Sequence, residues 1–310
     1  MKRFLCWGWL LLSLMPLQGT PLKADTLRWQ WTVGDVYDIK LTSNVVLAVS
    51  SDSDRLNYQN KIIVSGQWTV AEVNSSGIAR LHWQVQRVEI NPIAKDGQLK
   101  IDTDVKAETP EEATLQATLR GLLQKRFELV VNNTARLSSV KELRQDSKAP
   151  ERLSSEKPAR LGNGNLPQLF DSGGVARAFK HVFIQFPSDS IKSGDTWQPT
   201  LPLNTPEPKE MPVYKYLGVD ETAFSGGSPQ EQTRPQILFT SKIQFDDSDQ
   251  ADVEVKRQAM DGKIYINTAE RFVEKVVIEL ALETITSEGG KKIDVLHEET
   301  HLIELKKLVR

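Results

Sequence analysis

Cysteine is absent from this chain beyond its N-terminal stretch. The only one among 310 residues is Cys6, and it lies too early in the apolar leader to be a lipid-bearing cysteine. A mature chain without thiols excludes disulfides, thiol nucleophiles, iron–sulfur clusters and cysteine-ligated zinc. Long apolar runs are also scarce. Mean hydropathy is −0.38, and nothing after the leader approaches the roughly 20 residues that span a bilayer. No sign of charge dominates either: 39 Lys and Arg stand against 41 Asp and Glu. No chain-wide field therefore marks nucleic acid or an anionic surface as a partner. What remains is an ordinary folding composition, 39 % apolar and 26 % charged, too apolar for a disordered chain.

Met1, Lys2 and Arg3 precede an apolar run from Phe4 to Leu17, followed by small residues. This is the layout of a secretory signal, with the cations held on the cytoplasmic side while the run enters the translocon. Cleavage fits after Ala24 or after Gly19, and an uncleaved N-terminal anchor is the competing reading. Removal of residues 1–24 takes away three positive charges and shifts the formal net charge from −2 to about −5. The expected location is the periplasm or the exterior, with no transmembrane span left after signal removal.

The rest reads as strands. Leu27, Trp29 and Trp31 alternate with Arg28 and Gln30, a period of two that puts large side chains on one face. Gly34-Asp35 makes a turn before a long strand over Val36–Val49. Runs at Lys61–Val73 and Ile78–Ile90 flank the hairpin signal Asn74-Ser75-Ser76-Gly77. One helix is well signalled over 110–126. Thr109 is its N-cap, Pro110 its first residue and Glu112 the third residue of a capping box, and a stripe of Leu115, Leu119, Leu122 and Leu123 suits core packing. A hairpin around Asn132-Asn133 follows.

Residues 145–168 are rich in proline, glycine, serine and charge, as in a linker or long surface loop. They divide an N-terminal β-rich domain, 25–144, from a C-terminal antiparallel β domain, 169–310. The second is expected to hold a short helix over Val175–His181 and strands over Thr196–Leu203, Val213–Phe224, Gln236–Phe245, Ala251–Ala259 and Lys263–Thr268. The last two are joined at Asp261-Gly262, a hairpin signal. A long hairpin turning at Glu288-Gly289-Gly290-Lys291 ends the chain. The fold class is α+β, strand-dominated, with antiparallel curved sheets or half-barrels and one amphipathic helix in the N-terminal half. Gly34-Asp35-Val36-Tyr37 and Gly194-Asp195-Thr196-Trp197 echo each other, by duplication or by a shared turn solution.

Candidate chemistry centres on His297-Glu298-Glu299-Thr300-His301. On a helix this H-E-x-x-H string would ligate Zn²⁺ through His297 and His301, with Glu298 as general base. The context is instead an alternating run, Ile293, Val295, His297, Glu299, His301 and Ile303, which places both histidines on one strand face about 7 Å apart. Residue 304 is Glu rather than the glycine of an extended zinc motif, and little chain remains for a downstream ligand. Asp246-Asp247-Ser248-Asp249 with Asp252 lacks the glycine and glutamate of a calcium loop and reads as an acidic turn. There is no G-x-S-x-G, Walker A or dinucleotide-binding glycine motif. Trp29, Trp31, Trp68, Trp83 and Trp197 could stack sugars, but alternation favours core positions.

Phe186-Pro187 with Ile191-Lys192-Ser193-Gly194-Asp195-Thr196-Trp197, the opening Trp29–Leu41 and Gly262-Lys263-Ile264-Tyr265 resemble an uncharacterised family of exported bacterial proteins with many paralogues. The resemblance implies a two-part β-rich exported protein and carries no activity, cofactor or catalytic residue. The reading of the sequence is therefore an exported cell-envelope or extracellular protein that binds or scaffolds through a β-sheet surface without enzymatic chemistry or cofactor. Lipid, glycan or another envelope protein are the classes of partner, and nucleic acid is not one. The competing reading is a zinc-dependent hydrolase built on His297, Glu298 and His301. A helix over Val295–Val309 would favour the enzyme and a strand would favour binding.

Overall fold

The computed structural model of the chain describes residues 27–51, 54–93, 100–143, 170–199, 209–210, 212–218, 235–244, 253–288 and 291–308. The signal segment 1–24, the linker 145–168 and the acidic turn at 246–252 lie outside the described residues. Among the described residues, fourteen strands and two helices follow one another. The first half comprises β1 (Val36–Ser50), β2 (Arg55–Val73), β3 (Ala79–Ile93), β4 (Ile101–Asp102), α1 (Pro110–Leu123), β5 (Arg126–Val131) and β6 (Leu137–Leu143). The second half comprises α2 (Ser172–Phe179), β7 (Thr196–Trp197), β8 (Lys209–Glu210), β9 (Val213–Gly218), β10 (Gln236–Ser241), β11 (Ile243–Gln244), β12 (Val253–Asn267), β13 (Phe272–Glu288) and β14 (Lys291–Leu308).

Twelve of these strands form one antiparallel, curved, open sheet in the order β6-β5-β3-β2-β1-β14-β13-β12-β10-β9-β7, with β4 paired to β3. The two halves meet where β1 runs antiparallel to β14, in register from Val36↔Leu308 to Ser50↔Asp294. The strand-dominated α+β class read from the pattern is what the chain adopts. No helix among the described residues is long and apolar enough to cross a membrane.

Period-two patterning sets which way the sheet faces. Along β2 the even residues turn inward and the odd ones outward. Val64 is 3 % exposed, Ile62 8 %, Asn60 8 % and Leu56 61 %, so burial on the inner face fades toward one end of the strand. At the buried end the inner face carries an aromatic cluster. Trp29 stacks on Trp31 at 4.6 Å between ring centroids, Trp68 lies 4.8 Å from Phe183, and Phe179 of α2 packs edge-on to Trp68 and Trp83 at 4.7 and 5.1 Å. Four of the five tryptophans weighed above are thus core residues. Trp197 is half-buried, stacked on Tyr214 at 5.4 Å, with its Nε1–H donating to Gln185 O at 2.9 Å.

The helices correspond to their signals with shifted ends. In α1 the capping box forms as expected: Glu112 N–H donates to Thr109 Oγ1 at 3.2 Å and Thr109 N–H to Glu112 Oε2 at 3.3 Å. Leu119 is buried, and Leu115 and Leu123 pack against the core. The helix ends at Leu123 rather than 126, because Arg126 is already paired with Gln84 in the sheet. Helix α2 begins three residues before Val175, since Asp171 accepts from Gly174 N–H at 2.6 Å and caps it there.

One expected turn is not a turn. Asp261-Gly262 lies in the middle of β12, a single strand from Val253 to Asn267. The glycine serves a close approach: a β-carbon at Gly262 would meet Phe239 Cε1 of β10 at 2.1 Å. Gly66 of β2 does the same for Trp83 of β3, whose ring would lie 2.5 Å from a β-carbon. The expected strand Gln236–Phe245 is interrupted after Ser241, where Ile243 and Gln244 leave the main sheet to pair with Glu210 and Lys209. The β7 strand ends at Trp197, and β9 is described to Gly218, residues 219–224 of its expected range lying outside the described residues.

The Gly-Asp echo is structural. Gly34 and Gly194 have φ of 87° and 91°, the left-handed backbone that a type II turn requires at its third position. Asp35 N–H donates to Thr32 O and Asp195 N–H to Lys192 O, both at 3.0 Å. Each turn then docks on a strand by the same pair of bonds. Gly34 N–H donates to Val70 O and Val70 N–H to Asp35 O, at 2.8 and 2.9 Å; Gly194 N–H donates to Tyr216 O and Tyr216 N–H to Asp195 O, at 2.7 and 2.9 Å. Across the ladder, Tyr37↔Trp68↔Trp83 matches Trp197↔Tyr214↔Phe239. The segment before each turn also crosses to the other half. Gln30 N–H donates to Arg271 O in the β12–β13 turn, and Phe186 N–H donates to Thr134 O in the β5–β6 turn.

Candidate functional site

The site is the inner face where five long neighbouring strands, β2, β1, β14, β13 and β12, outrun the aromatic core. Its rows follow from the register. Leu56, Val49, Val295, Thr284 and Val255 form one row across the five strands. Tyr58, Leu47, His297, Leu282 and Gln258 form the next, and Asn60, Val45, Glu299, Leu280 and Met260 the one below. Both ends of the first of these rows, the last on this face to span all five strands, are open, Leu56 at 61 % exposed and Val255 at 37 %. The residues between them are half-buried. The helices pack elsewhere, α1 on β3 and β4 and α2 against β6.

The opposite face of the same strands is mixed and polar. There Thr300 stands between Asn44 and Glu279, and Leu296 between Ala48 and Glu283. Lys256 Nζ reaches Asp294 Oδ1 at 2.7 Å on that side. The inner rows carry more and larger apolar side chains than the outer rows, which interleave Val46, Ala48, Leu296, Ala281 and Ile285 with charged residues.

In the middle of the apolar rows sits a polar cluster. Residues 293–305 are strand, within β14, so His297, Glu299 and His301 share the inner face and Glu298 projects to the other. Glu299 Oε1 lies 2.8 Å from His297 Nε2, and Oε2 lies 2.9 Å from His301 Nε2. The carboxylate is the deepest member, 15 % exposed against 32 % and 35 % for the two imidazoles. Burial raises its proton affinity, but the two imidazoles outweigh that and hold the Glu299 carboxyl well below the usual carboxylate range. The same contact pushes the His297 imidazole up against its own burial.

The alternating pattern of the sequence puts His297 and His301 together, and the strand does bring them to one carboxylate. It does not gather Glu298 with them. Alternation already carries Glu299 onto the histidine face; its role as the residue between the rings emerges only from the side-chain geometry. Among the described residues no group of three or more His, Cys, Asp or Glu could hold a metal ion. The cross-strand partners Tyr58, Asn60 and Leu56, at the far end of the chain, carry no sequence signal of their own. Asn60 is 8 % exposed and its Oδ1 has no hydrogen-bond partner within the described residues.

Among known proteins, a family model described as a family of unknown function, DUF6263, matches residues 76–217. This stretch runs from β3 to β9, and a family of unknown function agrees with the resemblance to an uncharacterised family. No curated protein matches the chain. Among solved structures, one on lipid–protein interactions in lipovitellin is 10 % identical with a TM-score of 0.47, covering 89 % of this chain and 25 % of that one. The chain therefore spans a quarter of that protein's length. DynF of the dynemicin biosynthesis pathway of Micromonospora chersina is 6 % identical with a TM-score of 0.24, covering 93 % of this chain and 92 % of that one. A DUF1329 family protein from Desulfovibrio piger is 11 % identical with a TM-score of 0.15, covering 89 % and 85 %. At such identities and scores none of the three says what this chain binds.

Proposed function

We propose that the chain is an exported binding protein of the cell envelope or exterior, and that it holds an apolar chain against the inner face of its long-stranded end. The observation that carries this reading is the row Leu56, Val49, Val295, Thr284 and Val255, the last on the inner face to cross all five strands, which is open at both ends. An apolar surface left half in water by one sheet face, beside a polar opposite face, is the signature of an interaction site rather than of a core. Each methylene withdrawn from water there contributes about 0.8 kcal/mol, so a medium-length alkyl chain supplies ample affinity even after ordering costs.

Catalysis is not needed to explain the polar cluster. Each imidazole turns its Nε2 toward Glu299, and Glu298, the base of the hydrolase reading, faces the other way. A photoactivatable, uncharged alkyl probe crosslinked to the chain and mapped by peptide mass spectrometry tests the proposal. Crosslinks concentrated on peptides carrying Leu47, Leu56 and Val255 are expected; crosslinks spread over the outer face and the short-strand end would overturn it.

A further inference from the structure

The polar cluster gives the apolar face a headgroup preference. Resting on the reading above, we propose that the ligand is a single-chain amphiphile with an anionic headgroup received at His297 and His301, and that His297 holds it more tightly as the pH falls.

The geometry assigns the parts. Glu299 is the deepest of the three groups, and its two oxygens lie one beside each imidazole Nε2, at 2.8 and 2.9 Å. A headgroup arriving from the open side meets the rings first, since they are about twice as exposed as the carboxylate. With each Nε2 turned down to the carboxylate, each Nδ1 is the atom left for a ligand. A neutral ring presents a lone pair there; a protonated ring presents an N–H donor. Protonating the His297 ring over an ionised Glu299 removes the cluster's net negative charge. Anionic headgroups gain attraction and donors together.

Among the described residues, the neighbours on this face do little to dilute that change. On β1 the cluster faces Leu47, Val45 and Ser43, and on β13 Leu282, Leu280 and Ile278. One strand further lie Tyr58, Asn60 and Ile62 on β2 and Gln258, Met260 and Gly262 on β12. Tyr58 is the one titratable group among these, and burial pushes its hydroxyl upward, away from the histidine range. The lowered carboxyl of Glu299 keeps its charge while the His297 imidazole titrates. The chain of the ligand then extends over Leu47, Val49 and Val295 toward the open row.

Calorimetric titration with a dodecyl sulfonate and with dodecyl maltoside, both below their micelle concentrations, tests this at about pH 5.5 and about pH 8. The sulfonate keeps its charge throughout, and the maltoside has none. The sulfonate is expected to bind about tenfold tighter at the acid pH, the equivalent of a one-unit rise in histidine proton affinity on binding, while the maltoside changes little. In the double variant His297→Gln, His301→Gln the sulfonate should lose its pH dependence while maltoside binding persists, which also shows that the variant is folded. Equal sulfonate affinity at both pH values, or a pH dependence that survives in the variant, overturns the headgroup assignment and leaves the apolar face standing. Failure of both probes to bind overturns the apolar face itself.

Discussion

The ring of Phe239 occupies the space in which a side chain on Gly262 would stand, with Cε1 only 2.1 Å from where a β-carbon on that glycine would lie. Gly262→Ala would collide with that ring and, at 2.7 Å, with Val277 O. A cost of about 3 kcal/mol is expected from overpacking at a buried site, read as a lowered denaturation midpoint. Because the backbone oxygen stays in place, Phe239→Leu should recover only part of that loss in a double-mutant cycle.

The two Gly-Asp turns should respond alike. Gly194 has open space around it and a φ of 91°, so Gly194→Ala tests backbone strain alone, and about 1 kcal/mol or somewhat more should be lost. Gly121 in α1 also has open space, but with ordinary helical backbone. Gly121→Ala should therefore raise stability by about 0.8 kcal/mol. A thermal or denaturant melt of the two variants side by side separates the effects by sign.

The cluster on β14 makes stability depend on pH in two directions. Glu299 has a folded-state proton affinity below its unfolded one, so its contribution is present above the ordinary carboxylate range, about pH 4.3, and is lost as the pH falls through the depressed folded value. His297 is shifted upward, so its contribution is complete below about pH 6.5 and is lost as the pH rises through the raised folded value. Thermal stability should accordingly be greatest at mildly acid pH and decline toward pH 8 and above. Glu299→Gln should flatten the alkaline decline; an unchanged profile in that variant would show that the coupling lies elsewhere.

Much of the architecture is legible because it is local. Thr109, Pro110 and Glu112 specify where α1 starts, and period-two runs specify strands, including the one that carries His297, Glu299 and His301. What local pattern cannot carry is register. Asp261-Gly262 has the same spelling whether it turns the chain or makes room for a ring; Phe239, on the neighbouring strand β10, decides which. The apolar rows depend on β1 meeting β14 from the far end of the sequence, so Leu56 and Val255 read as ordinary strand residues until the sheet sets them in one line. The H-E-x-x-H spelling points to Glu298, whereas the strand period hands the chemistry to Glu299.

Adjacent residues on β1 provide the sharpest test of the apolar face, because Leu47 points inward beside His297 and Val46 points outward beside Glu298. Equilibrium binding of the uncharged dye Nile red, followed by fluorescence in the parent chain, Leu47→Asp and Val46→Asp, puts a charge of the same kind on either side of one strand. Saturable binding that weakens by about tenfold or more in Leu47→Asp, the scale of burying one unpaired carboxylate, and stays unchanged in Val46→Asp is the predicted result. Equal binding in both variants, or a loss confined to Val46→Asp, would contradict it.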